Sequence, residues 1–216
     1  MPLMGVIARL AFAAAVLCAA GSLSPAHADD TPAHIAIVLD DSGSMSSPDE
    51  GADLKGIAAF AASQVFRIVP EGARLALFTY ASIAERPGTP LYYYENEGMK
   101  AANRFSAKLA TGRITEKAKN QHPYNYGNTP CDSALKAGLD WLGQQKTEQP
   151  RGRSTLFFLT DGGCTPRAKQ DVTPKTAKRL TAIDLFCVDF SKSAPGGKSK
   201  LSPGLRRACR KVVDVP

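Results

Sequence analysis

The stretch that most constrains this chain is residues 34–45, His-Ile-Ala-Ile-Val-Leu-Asp-Asp-Ser-Gly-Ser-Met. Ile35 to Leu39 is a short run of apolar, mostly branched residues with no polar alternation. Such a run reads as a strand buried on both faces, as in a parallel sheet covered by helices. It stops at Asp40. Asp40, Ser42 and Ser44 then place oxygen side chains at alternate positions, and Gly43 lets the backbone turn tightly between them. In open α/β sheets, ligands sit beyond the carboxyl ends of the strands. A hard cation such as Mg2+ takes oxygen ligands at about 2.0–2.1 Å. One carboxylate and two hydroxyls would supply part of that sphere with little negative charge, leaving the metal electrophilic. The same cluster also reads as an ordinary Asp/Ser/Gly turn.

Strand and helix patterns alternate along the chain. After the first strand, His34 to Leu39, Ser46-Ser47-Pro48-Asp49 can start a helix to about Ile68. Ile57, Phe60, Ala61, Val65 and Ile68 share its apolar face. Ala73 to Tyr80 reads as a second strand. Leu91 to Tyr94 reads as a short third one, which should run antiparallel because the gap is too short for a crossover helix. Met99 to Leu109 suits a helix, and Thr111 to Asn128 has no clear assignment. Thr129-Pro130 is a helix start, with the apolar stripe continuing to about Lys146. Ser154 to Thr160 is a second buried strand ending in Asp161-Gly162-Gly163. Thr173-Pro174 opens a helix to about Thr181, Ile183 to Phe190 is a strand, and Ser202-Pro203 opens a last helix to about Lys211. Val212 to Val215 is a final extended piece. The expected fold is α/β: a Rossmann-like, doubly wound, mostly parallel central sheet with one short antiparallel edge strand and helices on both faces.

Residues 1–28 read as a signal peptide. Arg9 precedes an apolar segment, Leu10 to Ala20, that is too short to span a bilayer comfortably, and Ala26-His27-Ala28 suits the cleavage site. An uncleaved anchor is the competing reading. Residues 29–33 form a short leader and 34–216 one domain. The protein is therefore expected to be exported, periplasmic or secreted, with no stable membrane span after cleavage, and monomeric. The formal charge is +7; Arg9 is the only charge in residues 1–28, so cleavage leaves +6. That bias suits acidic partners or a solvated basic face, and no nucleic-acid-binding motif accompanies it. Cys131, Cys164, Cys187 and Cys209 remain after cleavage, an even number that suggests disulfides in an exported chain. No two have zinc-ligand spacing. Arg206, Arg207, Arg210 and Lys211 read as a solvated helix face or an anionic docking patch.

Asp40-x-Ser42-x-Ser44 resembles the opening of the von Willebrand factor type A domain, whose metal-ion-dependent adhesion site begins with this motif. Gly127-Asn128-Thr129-Pro130 resembles the family's Gly-x-Thr turn. Phe157-Phe158-Leu159-Thr160-Asp161-Gly162 resembles its Asp-Gly strand end. The resemblance covers roughly residues 34–190, with the three elements in order. It implies that Asp40, Ser42, Ser44, Thr129 and Asp161 ligate a divalent cation, Mg2+ first, with Mn2+ or Ca2+ as alternatives. It also implies a protein partner that offers an Asp or Glu to the metal. Thr129 also suits a helix cap, and Asp161 an ordinary turn. If Thr129 and Asp161 converge on one cation, Cys131 and Cys164 come close enough to bond, leaving Cys187 to pair with Cys209. Four free thiols are the alternative. Tyr124 and Tyr126 would be partner contacts or surface loop residues. No nucleophile elbow, phosphate loop or dinucleotide fingerprint occurs, so no enzyme activity is expected. A metal-dependent hydrolase and a structural domain with an empty site are the competing functions.

Overall fold

The computed structural model describes residues 33–40, 42, 62, 65, 73–80, 83, 88–90, 92–95, 131–161, 164, 172–191 and 201–215. Within them the chain forms β1 (Ala33–Leu39), β2 (Arg74–Thr79), β3 (Tyr92–Glu95), α1 (Cys131–Glu148), β4 (Arg153–Thr160), α2 (Pro174–Leu180), β5 (Asp184–Asp189), α3 (Pro203–Ala208) and β6 (Lys211–Asp214). They build one sheet in the order β3-β2-β1-β4-β5-β6. β2, β1, β4, β5 and β6 run parallel. β3 pairs antiparallel with β2 at the edge, Arg74 opposite Glu95. The chain winds outward from β1 in both directions, so the strand order reverses between β1 and β4. That is where α/β sheets open a crevice.

Both sides of the central strands are buried, which explains their unbroken apolar sequence. On one side Ala36, Val38, Ala76, Phe78, Leu156 and Phe158 pack with Leu135 and Leu142 of α1 in a single core cluster. On the other, Ile35, Ile37, Leu75, Leu77 and Leu159 are equally buried, and so are helical Ala62 and Val65. A Cβ on Gly138 of α1 would meet Leu156 Cδ1 at 2.9 Å and Val38 Cγ2 at 3.3 Å. The missing side chain therefore lets α1 lie directly on β1 and β4.

The two short helices start where their Thr-Pro and Ser-Pro pairs place them. The Thr176 N–H donates to Thr173 Oγ1 at 3.3 Å, and the Leu205 N–H donates to Ser202 Oγ at 3.1 Å. Each hydroxyl satisfies a donor of the first turn, and each proline follows at a position with no N–H to lose. The last helix is shorter than its sequence suggests and ends at Ala208 rather than near Lys211. Cys209 bonds to Cys187 of β5, and the Arg210 N–H donates to Leu185 O at 2.7 Å. Those two links draw the chain alongside β5, and Lys211 opens β6. The basic residues there are not all solvated. Arg206 pairs with Asp189 and Asp214, and Arg210 with Asp184.

At the opposite, amino end of the strands, His34 is fully buried and shares a hydrogen bond of 3.0 Å with Gln149 Oε1 through Nε2. A Cβ on Gly152 would lie 2.6 Å from His34 Nδ1 and 2.7 Å from Nε2. The ring cannot yield without breaking its bond to Gln149. Overpacking a core typically costs about 1–3 kcal/mol. Gly152→Ala is therefore expected to destabilise by about 2–3 kcal/mol in urea unfolding. Gly143→Ala, on an exposed turn of α1 with nothing within 4 Å, is the contrasting control and should stabilise by about 0.5–1 kcal/mol.

Candidate functional site

Asp40 is the first residue beyond β1, and Asp161 the first beyond β4. These are the two strands that flank the reversal of order. Their ends are tied directly, since the Asp40 N–H donates to Leu159 O at 2.8 Å. Asp40 Oδ1 accepts the Ser42 N–H at 2.9 Å, which folds the turn back over the strand end. Oδ2 accepts the Thr160 hydroxyl at 2.6 Å. Asp40 is 2% exposed, Asp161 0% and Ser42 6%.

Two carboxyl groups are thus held out of water side by side. Burial raises the Asp40 carboxyl from 3.8 to about 7, and the neighbouring Asp161 carboxylate adds to the rise. The hydrogen bonds from Ser42 and Thr160 oppose it without winning. Every donor to Asp40 is neutral, so the anionic form has no positive partner among the described residues. A divalent cation would supply one, and carboxylate and hydroxyl oxygens suit a hard ion such as Mg2+. The residues present fit such a group. Among the described residues no group of three or more His, Cys, Asp or Glu side chains gathers as a metal cluster. The candidate set contains only two carboxylates and relies otherwise on hydroxyls.

Of the five ligands expected from the sequence, Asp40, Ser42 and Asp161 come together. Ser44 and Thr129 lie outside the described residues, as do Asp41, Tyr124, Tyr126, the 1–28 segment, the 111–128 stretch, the helix expected at 99–109 and, apart from helical Ala62 and Val65, the one expected at 46–68. The cysteine pairing is the expected one. Cys131, the first residue of α1, bonds Cys164 across a Cα–Cα distance of 5.4 Å, and Cys187 bonds Cys209 across 5.9 Å. The first bond ties the start of α1 to the chain three residues past Asp161. The Tyr80 hydroxyl donates weakly to Cys131 Sγ at 3.7 Å.

Thr160 belongs to the site and was not singled out from the sequence. It is fully buried and holds Asp40 across the strand pair. Its signal was a hydroxyl residue closing an otherwise apolar strand immediately before Asp161.

These features define an α/β domain with an oxygen-donor site at its topological switch point. Comparison of the chain with protein-family models and with curated proteins gives no match. Among the described residues no helix is long and apolar enough to cross a membrane.

Proposed function

We propose that this chain is an exported von Willebrand factor type A-like module. It binds one divalent cation through Asp40, Ser42, Ser44, Thr129 and Asp161, and it grips an acidic side chain of a protein partner through that cation. Mg2+ is the first choice, with Mn2+ or Ca2+ as alternatives. The observation that carries this reading is the pair of buried carboxyl groups, Asp40 and Asp161, at adjacent strand ends, with only neutral donors on Asp40. With hydroxyls filling much of the sphere, the ion keeps enough positive charge to take a further carboxylate. The two disulfides suit an oxidising compartment outside the cytoplasm. The module acts by binding and not by turnover.

Thermal unfolding with EDTA, Mg2+, Mn2+ or Ca2+, with and without a soluble dicarboxylate such as glutarate, tests this. A ligand at a hundredfold excess over its dissociation constant stabilises by about 2.7 kcal/mol. The expected result is a metal-dependent rise in Tm, increased further by glutarate and absent in Asp40→Ala. No rise under any of these conditions would refute metal-mediated capture.

A further inference from the structure

The ends of β1 and β5 are built alike. Asp189-Phe190-Ser191-Lys192-Ser193 repeats the Asp-x-Ser-x-Ser pattern of residues 40–44. The turns match in geometry, because the Ser191 N–H donates to Asp189 Oδ1 at 2.9 Å, just as the Ser42 N–H does to Asp40 Oδ1. The Ser191 hydroxyl also donates to that oxygen. Asp189 and Ser191 are as buried as Asp40 and Ser42. The two aspartates occupy one row across the sheet. Asp40 follows Leu39, which pairs with Leu159, and Thr160 pairs with Asp189.

The difference lies on the second carboxylate oxygen. Asp40 Oδ2 takes a neutral hydroxyl from Thr160, whereas Asp189 Oδ2 takes Arg206 Nη2 at 3.2 Å. The same guanidinium nitrogen reaches Asp214, the register partner of Asp189 on β6. Arg206 is held from two sides. Leu205 beside it is fully buried, and Cys209, three residues on, bonds Cys187, two residues before Asp189. Partial burial works against the guanidinium charge, but the two carboxylates prevail and raise its pKa. It is therefore a permanent cation, carried on a helix whose C-cap residue, Cys209, is bonded to β5.

We infer that Arg206 is the built-in cation of a second Asp-x-Ser-x-Ser stretch, and that its presence decides that divalent metal is taken at Asp40 and refused at Asp189. Arg206 is thus a specificity-determining residue. A guanidinium already supplies the positive charge that this strand end requires, and it bridges the carboxylates that a metal would need. The part concerning Asp40 rests on the metal reading above; the part concerning Asp189 does not.

The test is thermal unfolding in EDTA, Mg2+ or Mn2+ for Arg206→Met, Asp40→Ala, the Asp40→Ala/Arg206→Met double variant, and Asp189→Asn/Arg206→Met. Arg206→Met keeps the apolar stem and removes the charge. In EDTA it should lower Tm, and Mg2+ or Mn2+ should recover most of the loss, in the Asp40→Ala background as well. Asp40→Ala alone should ignore the metals, because Arg206 still fills the second position. Asp189→Asn/Arg206→Met removes the guanidinium and the buried carboxylate, leaves only the partly exposed Asp214, and should lose less in EDTA than Arg206→Met and be indifferent to metal. If Arg206→Met fails to fold in EDTA, refolding yield in Mg2+ against EDTA reads the same effect. A loss in the Asp40→Ala/Arg206→Met protein that neither metal recovers would overturn the inference and leave Arg206 an ordinary ion-pair partner. Recovery there, with an unresponsive wild type, would sustain the part concerning Asp189 and overturn the part concerning Asp40 together with the metal reading.

Discussion

Breaking both disulfides is expected to remove about 7 kcal/mol of stability. Cys131–Cys164 closes 33 residues and Cys187–Cys209 closes 22. In the chain-entropy account, cross-links of these lengths restrict the unfolded ensemble by about 3.5 kcal/mol each. The two loops follow one another without overlapping, so their contributions should add. Natural domains have only about 5–15 kcal/mol to lose. Urea unfolding with and without dithiothreitol would measure the effect, and Cys131→Ala/Cys164→Ala and Cys187→Ala/Cys209→Ala would divide it. The reduced protein should be largely unfolded at 37 °C. A combined loss below about 2 kcal/mol would mean that the reduced, unfolded chain keeps structure that already restrains these segments, and that the bonds add little.

The fold was legible because its central strands are buried on both sides. Ile35–Leu39 is buried throughout, and in Leu156–Leu159 only Phe157 is partly exposed, the pattern of strands in a parallel sheet covered on both faces. Thr173-Pro174 and Ser202-Pro203 marked helix starts to the residue, since capping is a local matter decided by one side chain and one missing N–H. The end of the last helix was not legible. Arg206 to Lys211 has good helix formers, and what stops the helix is a bond from Cys209 to a strand 22 residues earlier. At the site, Asp40 and Ser42 could be named because they leave the end of an apolar strand at alternate positions, one and three residues beyond Leu39, and Asp161 because its strand end resembles the family's Asp-Gly element. Thr160 could not be assigned in the same way. Its partner is 120 residues away, and only the register of β1 on β4 brings the two side chains together. The repeat at Asp189-x-Ser191 was visible as letters, but its closure by Arg206 depends on where α3 lies.

The metal-free protein should become less stable as pH rises from about 4 to about 7, contrary to the usual behaviour of a domain held by ion pairs. The folded state raises the Asp40 carboxyl from 3.8 to about 7, first through burial and then through the Asp161 charge. Between those values the folded state binds a proton that the unfolded chain has released, so stability falls with increasing pH. The full span corresponds to about 4 kcal/mol, complete by about pH 8. Asp140 and Asp184 act in the opposite sense. Slight burial disfavours their charge, but bonds from Lys136 and Arg179, and from Arg153 and Arg210, lower both pKa values. Their contribution is lost only in more acidic solution, so the two effects separate along the pH axis. Asp40→Asn should remove the neutral-pH loss and make the metal-free protein more stable than wild type at pH 8. Metal should act as the mirror image, because a cation can use Asp40 only after its proton leaves. The Mg2+-dependent rise in Tm should be largest near pH 8. Affinity should fall about tenfold per pH unit below about 7, so that metal has little effect at pH 5. Urea unfolding at pH 5, 6, 7 and 8, in EDTA and in Mg2+, measures both slopes on one protein. A metal-free stability that is flat or rising from pH 5 to 8 would show that Asp40 is already charged and compensated in the folded protein. The site would then have no need of a cation.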